Sequence, residues 1–132
     1  NCMENIQVPV SPGEVLDKIT ILEIKSERMT DPEKVANVRV ELALLKDTWE
    51  RAVSEDDVIR DLHDRLREIN EALWEIEDDI RDKERVKEFD ERFIELARAV
   101  YFTNDRRSKV KKDLNLHLGS QIVEEKSYQD YD

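Results

Sequence analysis

Cysteine is all but missing. Cys2 is the only one, so the chain can close no internal disulfide and can build no cysteine-rich zinc site. Glycine and proline are scarce too, at two and three residues; turn-rich β architectures and low-complexity chains need more of both. No apolar run is long enough to cross a bilayer, and none has the form of a signal-peptide core. Basic charge is in deficit, with 22 Lys and Arg against 33 Asp and Glu, a formal net charge of −11. Nucleic-acid backbones and anionic membrane surfaces repel such a chain as a whole, so neither is expected as a partner. Also missing are a glycine-rich phosphate loop, a nucleophile elbow and a Cys/His pair suited to covalent catalysis. His63 and His117 complete no metal or catalytic constellation with their neighbours and are expected at the surface or rim. Together these absences lead to the expectation of a soluble protein in a reducing, cytoplasmic setting.

What is present is charge and aliphatic bulk. Charged residues make up 42% and hydrophobic ones 39%, a combination that with so few breakers favours long amphipathic helices. Val8-Pro9-Val10 reads as an extended lead-in within residues 1–10. Ser11-Pro12-Gly13-Glu14 then carries an N-cap, a proline suited to the first helical position and the acid of a capping box. A helix from Pro12 bears Val15, Leu16, Ile19, Leu22 and Met29 on one side, with Ile21 and Ile24 off that stripe, so it is expected to be buried on more than one side. Asp31-Pro32 starts a second helix running to about Ala52, whose Val35, Val38, Leu42, Leu45 and Trp49 alternate by three and four as in a coiled-coil seam. A third helix is predicted over residues 55–82 on Ile59, Leu62, Leu66, Ile69, Leu73, Ile76 and Ile80. A fourth is predicted from about residue 85, with Val86, Phe89, Phe93, Leu96 and Val100 inward, a break or kink at Thr103-Asn104-Asp105 and an end near Gly119. Residues 120–132 read as a polar tail.

The predicted fold is thus all-α: antiparallel helical hairpins forming a four-helix-bundle-like domain over residues 1–132, with a longer second hairpin. Counting residues from turns near 30, 54 and 84 places Leu42 opposite about residue 65 and Leu73 opposite about 95. The same count lets the second hairpin project beyond the first from about residue 77.

Four blocks resemble a known family: Val8-Pro9-Val10-Ser11-Pro12-Gly13-Glu14-Val15-Leu16-Asp17-Lys18-Ile19-Thr20-Ile21-Leu22-Glu23-Ile24-Lys25, Leu73-Trp74-Glu75-Ile76-Glu77-Asp78-Asp79-Ile80-Arg81, Phe93-Ile94-Glu95-Leu96-Ala97-Arg98-Ala99-Val100-Tyr101 with Asn104-Asp105, and Glu124-Glu125-Lys126-Ser127-Tyr128. The chain resembles a bacterial domain-of-unknown-function family of about its own length, from about residue 6 to 128. The resemblance implies a bacterial or phage-related protein and implies no activity.

Three sets of residues are candidates for chemistry. Glu68-x-x-Glu71 and Glu75-x-x-Asp78 have the spacing by which helical carboxylates hold Mg²⁺, so Glu71, Glu75 and Asp78 are metal candidates. In so acidic a chain such pairs arise by chance, and the simpler reading is a solvated face with no metal and no cofactor. The register places polar residues on semi-buried faces: Lys18 and Lys25 on the first helix, Trp74 and Asp78 on the third, and Arg98, Tyr101 and Asp105 on the fourth. A pocket of Lys18, Arg98 and Tyr101 would suit an anionic small molecule; the competing reading is an ion-pair network that fixes helix register. The basic run Arg106, Arg107, Lys109, Lys111 and Lys112 is expected to pair with the acids that open the third helix. Finally, the projecting hairpin leaves Ile80, Val86, Phe89 and Phe93 short of cover. The leading expectation is therefore a non-catalytic interaction module that self-associates, with a dimer favoured. The alternative is a small helical enzyme or ligand-binding protein for an anionic small molecule, with Mg²⁺ as an optional cofactor.

Overall fold

A computed structural model describes residues 2–123 and 125–132; Asn1, and the Glu124 that opens the last of the four blocks, lie outside the described residues. Four helices follow in order: α1 (Pro12–Arg28), α2 (Pro32–Ala52), α3 (Asp57–Arg85) and α4 (Glu91–His117). No helix among the described residues is long and apolar enough to cross a membrane. Each helix starts where side-chain chemistry supplies a cap. Ser11 Oγ accepts from the Glu14 N–H at 3.2 Å, Asp31 from Glu33 at 3.0 Å, Asp56 from Ile59 at 2.8 Å and Asp90 from Phe93 at 3.0 Å. Pro12 and Pro32 occupy first-turn positions, where a missing N–H costs nothing.

α1 is the central element. It packs against α2, α3 and α4, whereas α2 packs along α1 and not along α3. Burial of Leu16, Ile19, Leu22 and Ile24 on α1 follows from that position, as the off-stripe Ile21 and Ile24 had implied. The main core joins Leu16 and Ile19 to Trp49, Ile59, Leu62, Leu66, Ile69, Val110 and Leu114. The expected facing of Leu42 and residue 65 is therefore not found: α2 turns its Val35, Val38, Leu42 and Leu45 stripe toward α1 and leaves Val40 and Leu44 exposed on its other side.

The second hairpin is the longer one. Arg28, the last residue of α1, reaches Glu75 at 2.5 Å, and α3 runs on for ten residues after Glu75, about 15 Å. The link differs from expectation. α3 continues to Arg85, and Val86 and Phe89 lie in the connection, not on an inward face of α4. Lys87, at φ 58°, sits where a Schellman cap puts its left-handed residue, with the Lys87 N–H on Glu84 O at 3.1 Å and the Glu88 N–H on Lys83 O at 3.0 Å. α4 ends in the same motif, with Gly119 at φ 66° and the Ser120 N–H on Asn115 O at 2.9 Å. It runs unbroken past Thr103-Asn104-Asp105. Those cap-prone residues stay helical with their side chains engaged: Thr103 is buried, Asn104 accepts from Arg107 of its own helix and Asp105 from Lys126 of the tail.

Candidate functional site

The interior of the α1–α3–α4 contact is polar at one level. Asp17, one turn into α1, is 2% exposed. A carboxylate so deep needs several donors, and it has them. Arg107 on α4 donates through Nε to Oδ1 at 2.8 Å and through Nη2 to Oδ2 at 2.5 Å, a two-pronged pair. Asn70 on α3 donates Nδ2 to Asp17 Oδ1 and to Thr20 Oγ1, both at 2.9 Å, and the Thr20 hydroxyl passes its proton on to Asp17 O at 2.7 Å. The network ties three helices at one height and sets their register.

One turn nearer the start of α1, Gly13 lies against the backbone of α4. Its N–H donates to Asn115 Oδ1 at 2.7 Å. A Cβ there would stand 2.6 Å from the Lys111 carbonyl oxygen, so only glycine fits this approach. Lys111, with 7% of its side chain exposed, meets Glu14 at 2.8 Å. Arg107 and Lys111 both make further interactions besides these. Asn115 Nδ2, fully buried, has no hydrogen-bond partner among the described residues.

Two clefts open on either side of Arg107 and Asn104. One, of about 420 Å³, is lined by Ile21, Asn70, Leu73, Trp74, Glu77, Asp78 and Arg81 besides those two. The other, of about 500 Å³, lies between α4 and the tail, and its walls are Val100, Tyr101, Ser108, Lys111, Lys126 and Tyr128 with the same pair. The tail thus folds back along α4 as a strap. Lys112 meets Glu125 at 3.3 Å and Lys126 meets Asp105 at 3.2 Å, while the Tyr131 ring packs on Tyr101 and Phe102 with centroids 5.6 and 4.8 Å away. Hydrogen bonds from the Tyr131 hydroxyl and then from Lys126 hold Asp105 below the usual aspartate range.

A third cleft, of about 560 Å³, holds His63 between Glu23 at 2.9 Å and Asp64 at 3.0 Å, with Trp49 and Lys46 beside it. The Glu23 carboxylate, and with it Asp64, raises the imidazole pKa against the opposing effect of burial. Burial pushes Glu23 up, but the hydrogen bond and charge of His63 and the charges of Lys46 and Arg67 outweigh it and leave Glu23 below its ordinary value. Among the described residues, no Ser, Thr or Cys lines this cleft.

The residues singled out from sequence are spread over these features. Lys18 is exposed and pairs with Glu41 of α2 at 2.9 Å, lining neither the cleft that Tyr101 borders nor the shallow groove that Arg98 shares with Phe102, Asp105 and Tyr131. Lys25 is half-buried on α1. Trp74 and Asp78 line the cleft that also contains Arg107. Glu71 is engaged by Arg67 at 3.1 Å and Glu75 by Arg28; no three His, Cys, Asp or Glu side chains among the described residues converge as a metal site. Ile80 and Phe93 are half-buried, while Val86 and Phe89 are about half exposed, at 51% and 56%, and Phe89 meets the Phe93 ring edge-on at 5.1 Å. Of the basic run, Arg107 and Lys111 turn to α1, Lys109 to Asp113 of its own helix and Lys112 to the tail. His117, at the end of α4, reaches the acidic start of α3 at Asp56.

Reasoning from sequence missed Asp17, Thr20, Asn70 and Arg107 as a group. The link between α3 and α4 centres three or four residues later than expected, and that moves the partner of any α3 residue along α4 by twice as much. Asn104 and Arg107, not Arg98, come level with Asn70. The available signal was Asp17 and Thr20 standing at i and i+3 on a helix whose apolar residues already pointed to burial on several sides. A family model matches residues 6–131, and the chain belongs to that family, DUF6165, a family of unknown function. No curated protein and no solved structure matches the chain.

Proposed function

We propose that this member of DUF6165 is a non-catalytic interaction module that pairs with a second copy of itself through the projecting tip of the α3–α4 hairpin. The observation that carries the reading is the tip itself. α3 runs on past the end of α1, whose last residue Arg28 meets Glu75, and Val86 and Phe89 in its link to α4 stand about half in water. Each forgoes part of the roughly 1.5–3 kcal/mol that full burial of such a side chain contributes. Charge favours a second copy as the cover. The chain as a whole is at −11, yet between Asp79 and Arg92 the six carboxylates Asp79, Asp82, Glu84, Glu88, Asp90 and Glu91 face the five cations Arg81, Lys83, Arg85, Lys87 and Arg92. Two copies meeting here juxtapose nearly neutral surfaces, and a twofold axis supplies the same patch from both sides. The polar interior agrees with a structural role, because the Asp17 carboxylate is fully engaged within the fold. The alternative, an enzyme or ligand-binding protein using Lys18, Arg98 and Tyr101, draws less support, since Lys18 is turned to Glu41 and away from the other two.

Sedimentation velocity at about 10–100 μM tests the reading. The parent chain should run as a dimer, and Phe89→Glu should run as a monomer with unchanged helical circular dichroism. A parent chain that stays monomeric throughout that range would overturn the proposal, as would a dimer indifferent to Phe89→Glu.

A further inference from the structure

α2 carries two stripes on opposite faces. The inner one, Val35, Val38, Leu42, Leu45 and Trp49, lies on α1, which alone among the described helices packs on α2. The outer one is Glu33, Asn37, Val40, Leu44, Asp47 and Arg51, and its steps alternate four and three residues, the spacing of a coiled-coil seam. All six residues are exposed, Val40 at 64% and Leu44 at 50%. Ala36 and Ala43, also exposed, flank the seam on one side, and their small side chains let another helix approach closely. On the other side Glu41 is drawn off to Lys18 of α1 at 2.9 Å. Between Glu33 and Arg51 the four carboxylates Glu33, Glu41, Asp47 and Glu50 balance the four cations Lys34, Arg39, Lys46 and Arg51, in a chain whose net charge is −11. Two copies therefore approach here without the repulsion that the rest of the surface exerts.

We propose that the outer face of α2 is a second self-association surface, on which the α2 helices of two copies pair antiparallel about a twofold axis level with Leu42. The occupant is another copy because the stripe complements itself. α2 runs from Pro32 to Ala52, with Leu42 at its midpoint. Turned end for end about that point, a second α2 sets Leu44 opposite Val40, Asp47 opposite Asn37 and Arg51 opposite Glu33, and the twofold repeats each contact. A parallel pair would instead set Glu33, Asp47 and Arg51 each against its own like charge. Arg51 holds Asp47 of its own helix at 2.7 Å, and with 72% of its side chain exposed it has further donors to offer. Each copy brings only Val40 and Leu44 as large apolar side chains, so the dissociation constant should be on the order of 1 mM. The surface shares no residue with the hairpin tip, and in the parent chain it would join tip-paired dimers into larger assemblies.

Nuclear magnetic resonance of the Phe89→Glu chain, diluted from about 2 mM to about 0.1 mM, reads this contact apart from the tip contact. Phe89 lies outside the face, so the dilution reads α2 whether or not the tips pair in the parent. The diffusion coefficient should rise on dilution as dimer gives way to monomer. The amide shifts that move should be those of Asn37, Val40, Leu44 and Asp47. Leu44→Glu, at a half-exposed position, should abolish both changes without loss of helical circular dichroism. Glu33→Arg should weaken the dimer roughly fivefold by facing Arg51 with a like charge, and adding Arg51→Glu to it should restore the dimer. A chain that diffuses as a monomer at about 2 mM would overturn the proposal and leave the face to a different protein. It is overturned equally if the moving amides lie off the outer face, or if the double variant stays as weak as Glu33→Arg.

Discussion

Replacing a glycine in the first turn of a helix by alanine ordinarily helps, because glycine costs a helix roughly 0.5–1 kcal/mol relative to alanine. At Gly13 the sign should reverse. The added Cβ would sit 2.6 Å from the Lys111 carbonyl oxygen and 2.9 Å from Asn115 Oδ1, distances that Cβ atoms do not tolerate, and the nearer atom is backbone that cannot swing aside. Forcing a methyl into such a contact costs about 1–3 kcal/mol. As α1 backs away, the 2.7 Å bond from the Gly13 N–H to Asn115 Oδ1 lengthens. Asn115 is fully buried and its Nδ2 already has no partner among the described residues, so a stranded acceptor adds about 1–3 kcal/mol. Net of the helix-propensity gain, Gly13→Ala should destabilise by about 2–4 kcal/mol. Urea unfolding followed by circular dichroism would show this as a midpoint lower by roughly 1–2 M. Gly119 is the control. Open space surrounds it, and its cost on substitution comes from φ 66° alone. Gly119→Asn should therefore be milder than Gly119→Ala, because asparagine tolerates the left-handed region. A Gly13→Ala midpoint equal to or above the parent's would refute the close-approach argument.

Other perturbations have definite expected outcomes. Ser11→Ala removes the oxygen that caps Glu14 N–H and should lower stability by about 1 kcal/mol in the same unfolding assay. Asp17→Ala leaves Arg107 and Asn70 without their shared acceptor and should cost about 3 kcal/mol, more than Asp17→Asn, which keeps a hydrogen-bonding oxygen. The Glu23–His63 pair makes stability depend on pH in two directions. The His63 pKa is raised above its ordinary 6.5, so its contribution is complete below that value and is lost as pH climbs through the folded-state pKa. Glu23 is lowered below 4.5, so its contribution holds above that value and is lost as pH falls through its folded-state pKa. The melting temperature should accordingly decline as pH rises above 6.5 through the folded-state pKa of His63, and His63→Gln should flatten that limb; an unchanged slope in the variant would assign the decline to another group.

The helices were readable wherever local chemistry decides them. Ser11-Pro12 and Asp31-Pro32 carry cap and first-turn signals within two residues, and both α1 and α2 begin there. The connection near residue 86 was not readable to the residue, because Lys87 supplies a left-handed cap that nothing in its chemistry advertises. That small displacement hid the polar network: facing positions depend on the turn centre, and an antiparallel register doubles any error in it. Unbroken α4 was also illegible. Asn104 and Asp105 favour caps in isolation and remain helical with Arg107 and Lys126 on their side chains. Of the two carboxylates that hold His63, Asp64 is its neighbour in sequence, but Glu23 lies forty residues away on α1, and only the packing of α1 on α3 brings it there. The strap had no periodic pattern to read: the contacts of its described residues with α4 include two ion pairs, Lys112–Glu125 and Lys126–Asp105, and a tyrosine packed on two rings.

The central place of α1 has a consequence for how the molecule comes apart. α2 rests on α1 and contributes one buried side chain, Trp49, while α3 and α4 hold each other and α1 without it. Peeling α2 away therefore exposes one face of α1 and breaks the surface pairs Lys18–Glu41 and Lys46–Glu23, but leaves the Asp17 network intact. Such an element should open as a cooperative unit of its own, below the free energy of global unfolding, which amide hydrogen exchange would show. Its amide protons trade with solvent through that partial opening, ahead of those at the heart of α3. In the partly opened species the apolar side of α1 and the inner stripe of α2, Val35, Val38, Leu42 and Leu45, face water together. Two such molecules could exchange their second helices, each closing on the other's α1 with the contacts it makes on its own.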